Sequence, residues 1–143
     1  MEHILVDLKR TSGNVHFEAV SADHPKLIIP FDFTPPLGSG DGFAGLEALV
    51  MTFSGCVSTA VIGLLLRLGK HIGGFTVKAE GERNEQPLSL GKILFHIEIT
   101  SRDITADDMD WVLKQAEAFS PVWLAIQGNV SVETSYQILS DEK

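Results

Sequence analysis

The sequence holds one cysteine, Cys56, which excludes an internal disulfide framework and any cysteine-rich zinc site. It holds no run of basic residues and carries a formal net charge of −8, so it lacks the clustered Lys and Arg that nucleic-acid phosphates require. The opening Met1-Glu2-His3 is acidic and no apolar segment with a cleavage site follows, so no secretory signal is expected and the cytoplasm is the expected compartment. The histidines His3, His16, His24, His71 and His96 do not fall at metal-ligand spacing, and no Gly-x-Ser-x-Gly elbow occurs. Neither a metal nor a cofactor is expected.

Charge is missing from one long stretch as well. Ala48 to Leu66 contains none, and its length approaches the roughly 20 apolar residues of a membrane span. Thr52, Ser54, Gly55, Ser58, Thr59 and Gly63 interrupt it, no second such segment exists, and strand-like segments flank it on both sides. A helix apolar all round can also be the buried axis of a globular protein. The expectation is therefore a buried central helix within Phe43–Lys70, with another backbone packed closely on its small residues and no membrane. With 143 residues, 44% of them hydrophobic, the chain is long enough for one domain to bury a core without staples.

Around this helix the apolar pattern has a period of two. His3–Leu8, Val15–Ala19 and Lys26–Ile29 read as an N-terminal antiparallel meander, with turn chemistry at Lys9–Asn14 and Ser21–Pro25. A Pro- and Gly-rich loop, Phe31–Gly42, leads into the helix. Its Gly40-x-Gly42-x-x-Gly45 matches the dinucleotide fingerprint only formally, because no strand leads in and no βαβ unit follows. A flexible loop with Ser39 or Asp41 near the helix N-cap is the simpler reading. Gly69–Gly74 ends the helix. Strands follow at Phe75–Glu80 and Ile93–Thr100, paired as a hairpin with a long loop over Asn84–Gly91.

Thr105-Ala-Asp-Asp108 opens a further helix as a capping box, with Met109, Val112, Leu113 and Ala116 on its apolar face and Phe119 extending it. Ser120-Pro121 starts a short helix over Val122–Gln127, with Ser120 as its N-cap, and Val130 to Ile138 alternates as the last strand. The fold class is α+β.

Two residues could carry chemistry. Cys56 reads either as a small buried apolar residue or as a nucleophile, which would need a cation or helix N-terminus to favour the thiolate. Glu47, the one acid at the apolar start of the helix, suits the helix dipole. Nine residues separate the two, roughly two and a half turns, so on one straight helix they face opposite ways. They share a site only if the helix bends or a second chain supplies one of them.

Gly45-Leu46-Glu47, followed by a small-residue helix reaching Gly55-Cys56, resembles the OsmC/Ohr family, the osmotically inducible and organic-hydroperoxide-resistance proteins. Phe119-Ser120-Pro121-Val122 lies where that family commonly has Cys-Pro-Val, and the element order agrees over nearly the whole chain. The resemblance implies a single OsmC-like domain over residues 1–143, with antiparallel strands around a long buried central helix. It further implies an intertwined homodimer with a site built from both chains. In that reading Cys56 is the peroxidatic cysteine and Glu47 the active-site carboxylate. Ser120 stands at the position of the resolving cysteine, Gly45 replaces a proline, and Arg10 is the possible cation. The implied activity is reduction of a small organic hydroperoxide through one cysteine with an external thiol reductant. The alternative is a catalytically silent dimeric module binding a small apolar ligand at its interface.

Overall fold

Alternation of apolar and polar residues organises both sheets of the computed structural model, which describes residues 2–141. The chain divides into two compact units, one up to Ala48 and one from Leu49 onward. In the first, β1 (Val6–Ser12), β2 (His16–Ser21) and β3 (His24–Phe31) form an antiparallel meander in the order β1-β2-β3. Its register puts Leu8, Ala19 and Ile29 in one row and Arg10, Phe17 and Phe31 in the next, so one face is largely apolar. That face is poorly covered: Val6 is 60% exposed, Leu27 66% and Ile29 49%. Pro25 and Pro30 are tolerated because β3 is an edge strand, where a missing N–H costs no ladder bond.

The helix α1 (Gly45–Arg67) crosses the boundary between the units. It ends as its glycine predicts: Gly69 takes a left-handed φ of 76°, and the Gly69 and Lys70 N–H groups donate to the Leu66 and Leu65 carbonyls. Burial differs from the expectation. Only Phe53, Val57, Val61 and Leu65 are buried, a single ridge at i, i+4 spacing, while Met51, Thr52, Gly55, Thr59, Gly63 and Leu66 are exposed. A narrow sheet within one chain covers one side of a helix and leaves the other bare.

In the second unit β4 (Gly74–Glu85), β5 (Leu88–Ser101) and β6 (Ser131–Ser140) form a sheet in the order β4-β5-β6. Ile93, Phe95, Ile97 and Ile99 of β5 are buried and their alternate neighbours face outward. The β4–β5 connection is a tight turn at Gln86-Pro87 rather than a long loop, because pairing continues out to Glu85 and Leu88. The β5–β6 ladder is parallel, a departure from an all-antiparallel arrangement. A parallel return needs a crossover, and α2 (Ala106–Phe119) with α3 (Pro121–Ile126) supplies it.

The capping box of α2 is complete. Thr105 Oγ1 accepts from the Asp108 N–H at 3.2 Å, and Asp108 Oδ2 accepts from the Thr105 N–H at 2.9 Å. Met109, Val112, Leu113 and Ala116 are buried as expected, but Phe119 is 67% exposed and does not extend their face. Lys70 pairs with Asp108 at 3.1 Å, and Asp103 accepts the His71 N–H at 2.9 Å, tying the end of α1 to the start of α2. The Thr105 N–H, then Lys70, hold the Asp108 carboxyl below its ordinary value, and the His71 N–H does the same for Asp103.

Ser120 corrects the sequence reading. Its backbone carries the junction: its N–H donates to the Ala116 carbonyl, and its own carbonyl accepts from Leu124. Its hydroxyl makes no cap bond to α3 and has no partner among the described residues, although the residue is only 1% exposed. An unpaired buried hydroxyl destabilises rather than caps. Ser120→Ala should therefore leave urea stability unchanged or raise it by up to about 1 kcal/mol, where a true N-cap would lose about that much. The lowered carboxyls set a second expectation. Their contribution is present above the unfolded value of about 3.9 and is lost as pH falls through the folded one. Asp108→Asn should thus lower stability at neutral pH and flatten the acid limb of the stability curve.

Candidate functional site

Cys56 lies half-buried in the middle of α1, one residue before the buried Val57. The nearby hydroxyls serve the helix itself: Ser54 Oγ donates to the Val50 carbonyl and Thr59 Oγ1 to that of Gly55, each at 2.8 Å. Among the described residues none hydrogen-bonds the Cys56 sulfur. One turn earlier, Phe53 meets Phe95 edge-on at 5.6 Å and Trp123 at 5.4 Å. Trp123 is three residues beyond Ser120, so this aromatic cluster brings the cysteine-bearing part of α1 to the start of α3. The two positions that the resemblance singles out in this unit, Cys56 and Ser120, thus belong to segments that pack together.

Glu47 and Arg10 belong to the first unit, and both have local work there. Glu47 is at N3 of α1, and its Oε1 accepts the Ala44 N–H at 3.3 Å, the half of a capping box in which the acid reaches back to the N-cap. Arg10 closes its own turn: Nε donates to the Asn14 carbonyl at 3.0 Å and Nη2 to that of Gly13 at 2.6 Å. Gly13 has a φ of 59°, the left-handed conformation that the β1–β2 turn requires. Arg10 and Glu47 share no hydrogen bond or ion pair.

One residue escaped the sequence reading. Asp32, only 6% exposed, follows β3 and collects the N–H groups of the loop after it. Oδ1 accepts from Phe33 at 2.7 Å and from Ser39 at 3.3 Å, and Oδ2 accepts from Asp41 at 3.1 Å. Ser39 and Asp41 therefore spend their N–H groups on Asp32, and Ala44 occupies the N-cap of α1 instead. The Phe33 N–H, followed by those of Asp41 and Ser39 and by the charge of His16, holds the Asp32 carboxyl below its ordinary value. An acid before a Pro- and Gly-rich loop carries no pattern that announces this, since the donors come from the backbone.

In the second unit two surface depressions of about 280 Å³ each lie elsewhere, one over Leu94 and His96 and one between Asp110 and Tyr136, and Cys56 lines neither. Among the described residues no three His, Cys, Asp or Glu side chains gather to hold a metal ion.

The family model for OsmC-like proteins matches residues 38–135, a stretch that contains Glu47, Cys56 and Ser120 and leaves out Arg10. The chain belongs to the OsmC-like family. Solved structures agree in fold. A hypothetical protein from Aquifex aeolicus VF5 superposes with a TM-score of 0.83 at 17% identity, covering 99% of this chain and 100% of that one. An OsmC-like protein from Mycoplasma pneumoniae gives 0.80 at 16% identity over 96% and 98%. An organic hydroperoxide resistance protein from Legionella pneumophila gives 0.73 at 17% identity over 96% and 98%. No curated protein matches the sequence.

In this OsmC-like chain the cap made by Glu47 can be separated from any chemical role. Gln at N3 keeps the reach back to the N-cap, whereas Ala loses it. Glu47→Gln should hold the thermal midpoint close to that of the parent, and Glu47→Ala should cost about 0.5–1 kcal/mol. Equal stability of the two variants would show that the cap contributes nothing.

Proposed function

We propose that this OsmC-like protein reduces organic hydroperoxides through Cys56 alone, as one domain over its whole length, with an external thiol as reductant. The observation that carries the reading is the half-buried Cys56 on an α1 segment packed through Phe53 and Trp123 against the start of α3. The Cys56 thiolate attacks one peroxide oxygen, the O–O bond breaks, and the alkoxide leaves and takes up a proton to become the alcohol. Sulfur, oxidised by two electrons, becomes a sulfenic acid. An external thiol then condenses with it, releasing water and forming a mixed disulfide, and a second thiol equivalent frees Cys56. Glu47 would orient a cation toward the sulfur, with Arg10 the candidate cation.

The working unit we infer is a homodimer in the cytoplasm. On an unbroken α1, Glu47 and Cys56 point to opposite sides, so a shared site takes one of them from each chain. The bare face of α1 and the apolar face of the β1–β3 sheet are the surfaces such a partner would cover. A monomer in sedimentation at micromolar concentration would remove this part of the reading.

A second reading is favoured by a specific observation: among the described residues no donor reaches the Cys56 sulfur, while Glu47 and Arg10 are occupied within their own segments. It makes the protein a silent dimeric module for a small apolar ligand. The two readings part on one measurement. With organic hydroperoxide, dimedone should label Cys56 and an added dithiol should reverse the oxidation. The sulfenic acid should persist without thiol, because Ser120 cannot resolve it. Ser120→Cys should instead give a disulfide between Cys56 and the introduced thiol on peroxide treatment. If Cys56 stays unlabelled while an exposed control thiol reacts, only the binding module survives.

A further inference from the structure

The loop from Phe33 to Gly42 has no regular structure, yet both of its ends are fixed. The chain leaves β3 at Asp32 and returns beside it at Phe43: the Asp32 N–H donates to the Phe43 carbonyl at 3.2 Å, and the Phe43 N–H to the Pro30 carbonyl at 3.0 Å. Asp32 fills the middle of the loop with one buried carboxylate and the N–H groups of Phe33, Ser39 and Asp41 around it. The loop sequence accommodates that carboxylate. A side chain at Gly38 would run into it and into the Phe33 carbonyl, one at Gly42 would meet the Phe31 backbone at 2.8 Å, and Gly40 has a φ of 73°. Only an acceptor-only group satisfies three converging donors; a protonated acid or an amide would present a donor of its own. One residue past Phe43 is the Ala44 cap, whose N–H Glu47 accepts.

We propose that Asp32 is a positioning residue, a latch whose carboxylate holds the Phe33–Gly42 loop folded and thereby fixes the first turn of α1 and the place of the Glu47 carboxylate. Its part in catalysis rests on the Cys56 reading above; its part in setting Glu47 does not. The groups facing Asp32 are His16 on β2, whose positive form strengthens the latch, and the loop backbone. Because the folded carboxyl is held below its ordinary value, the latch is present at neutral pH and is lost as pH falls through that lowered value.

The test compares the parent, Asp32→Asn, Glu47→Gln and the double variant by amide hydrogen exchange and by the rate of Cys56 oxidation with cumene hydroperoxide. Asp32→Asn should abolish protection at Ser39, Asp41 and Ala44 while β2 amides stay protected. It should also slow oxidation about tenfold, less than the ~10²-fold that a full 1 Å misplacement can cost. In the double variant the Asp32 substitution should add no further loss beyond Glu47→Gln alone, because both act through one carboxylate. Unchanged protection at Ser39 and Ala44 would overturn the latch. An equal tenfold loss on top of Glu47→Gln would overturn its action through Glu47. Should the parent Cys56 prove unreactive, the peroxidase reading fails by itself, and Ala44 protection still decides whether Asp32 sets Glu47. Should Asp32→Asn fail to fold, acid titration of the parent serves. Ser39 and Asp41 protection should then disappear together while β2 remains protected, and their loss only with global unfolding would overturn the proposal.

Discussion

A helix without a charged residue from Ala48 to Leu66 has no face suited to water, and its own chain buries only the ridge of Phe53, Val57, Val61 and Leu65. At about 25 cal/mol for each Å² of apolar surface removed from water, covering the rest is worth several kcal/mol. Small residues line much of the uncovered face. Gly55, Thr59 and Gly63 keep it low, and the hydroxyls of Ser54 and Thr59 are already satisfied by the helix carbonyls. The same helix is long and apolar enough to cross a membrane by length and composition. Strands precede and follow it in a chain that belongs to the OsmC-like family.

What the sequence discloses follows from how local each cause is. The cap and buried face of α2 were legible because a capping box and a 3.6-residue period act within one helix. The buried alternation of β5 was legible for the same reason. The parallel direction of β6 was not, since alternation reads the same in either direction and only the α2–α3 crossover decides it. The tight turn at Gln86-Pro87 was hidden because Asn84 to Gly91 is turn-like in composition, yet pairing partners extend the ladder through most of it.

The site shows the same division more sharply. Cys56 and Glu47 stood out as single exceptions in an apolar stretch, and a family pattern gave them roles. Asp32 did not stand out, because its partners are backbone N–H groups seven and nine residues away that only a folded loop assembles. Ser120 was misread for a related reason. Ser before Pro is the local signature of an N-cap. Here the extended junction between α2 and α3 assigns the cap geometry to the backbone and leaves the hydroxyl buried without a partner among the described residues.

That hydroxyl bears on the chemistry as well as on the fold. A thiol donates and accepts only weakly and behaves in a core as a small apolar group, so a position without hydrogen-bond partners suits sulfur better than oxygen. Serine at 1% exposure, its hydroxyl without a partner among the described residues, stands where the family resemblance expects the second thiol. With serine there, a buried O–H replaces the thiol, and oxygen cannot attack a sulfenic acid to close a disulfide. Oxidised Cys56 would then be limited by its own access to solvent. The residue is half-buried, about one turn along α1 from the Phe53 of the aromatic cluster. In the single-cysteine reading, Ser120 thus leaves the resolving step to an external thiol.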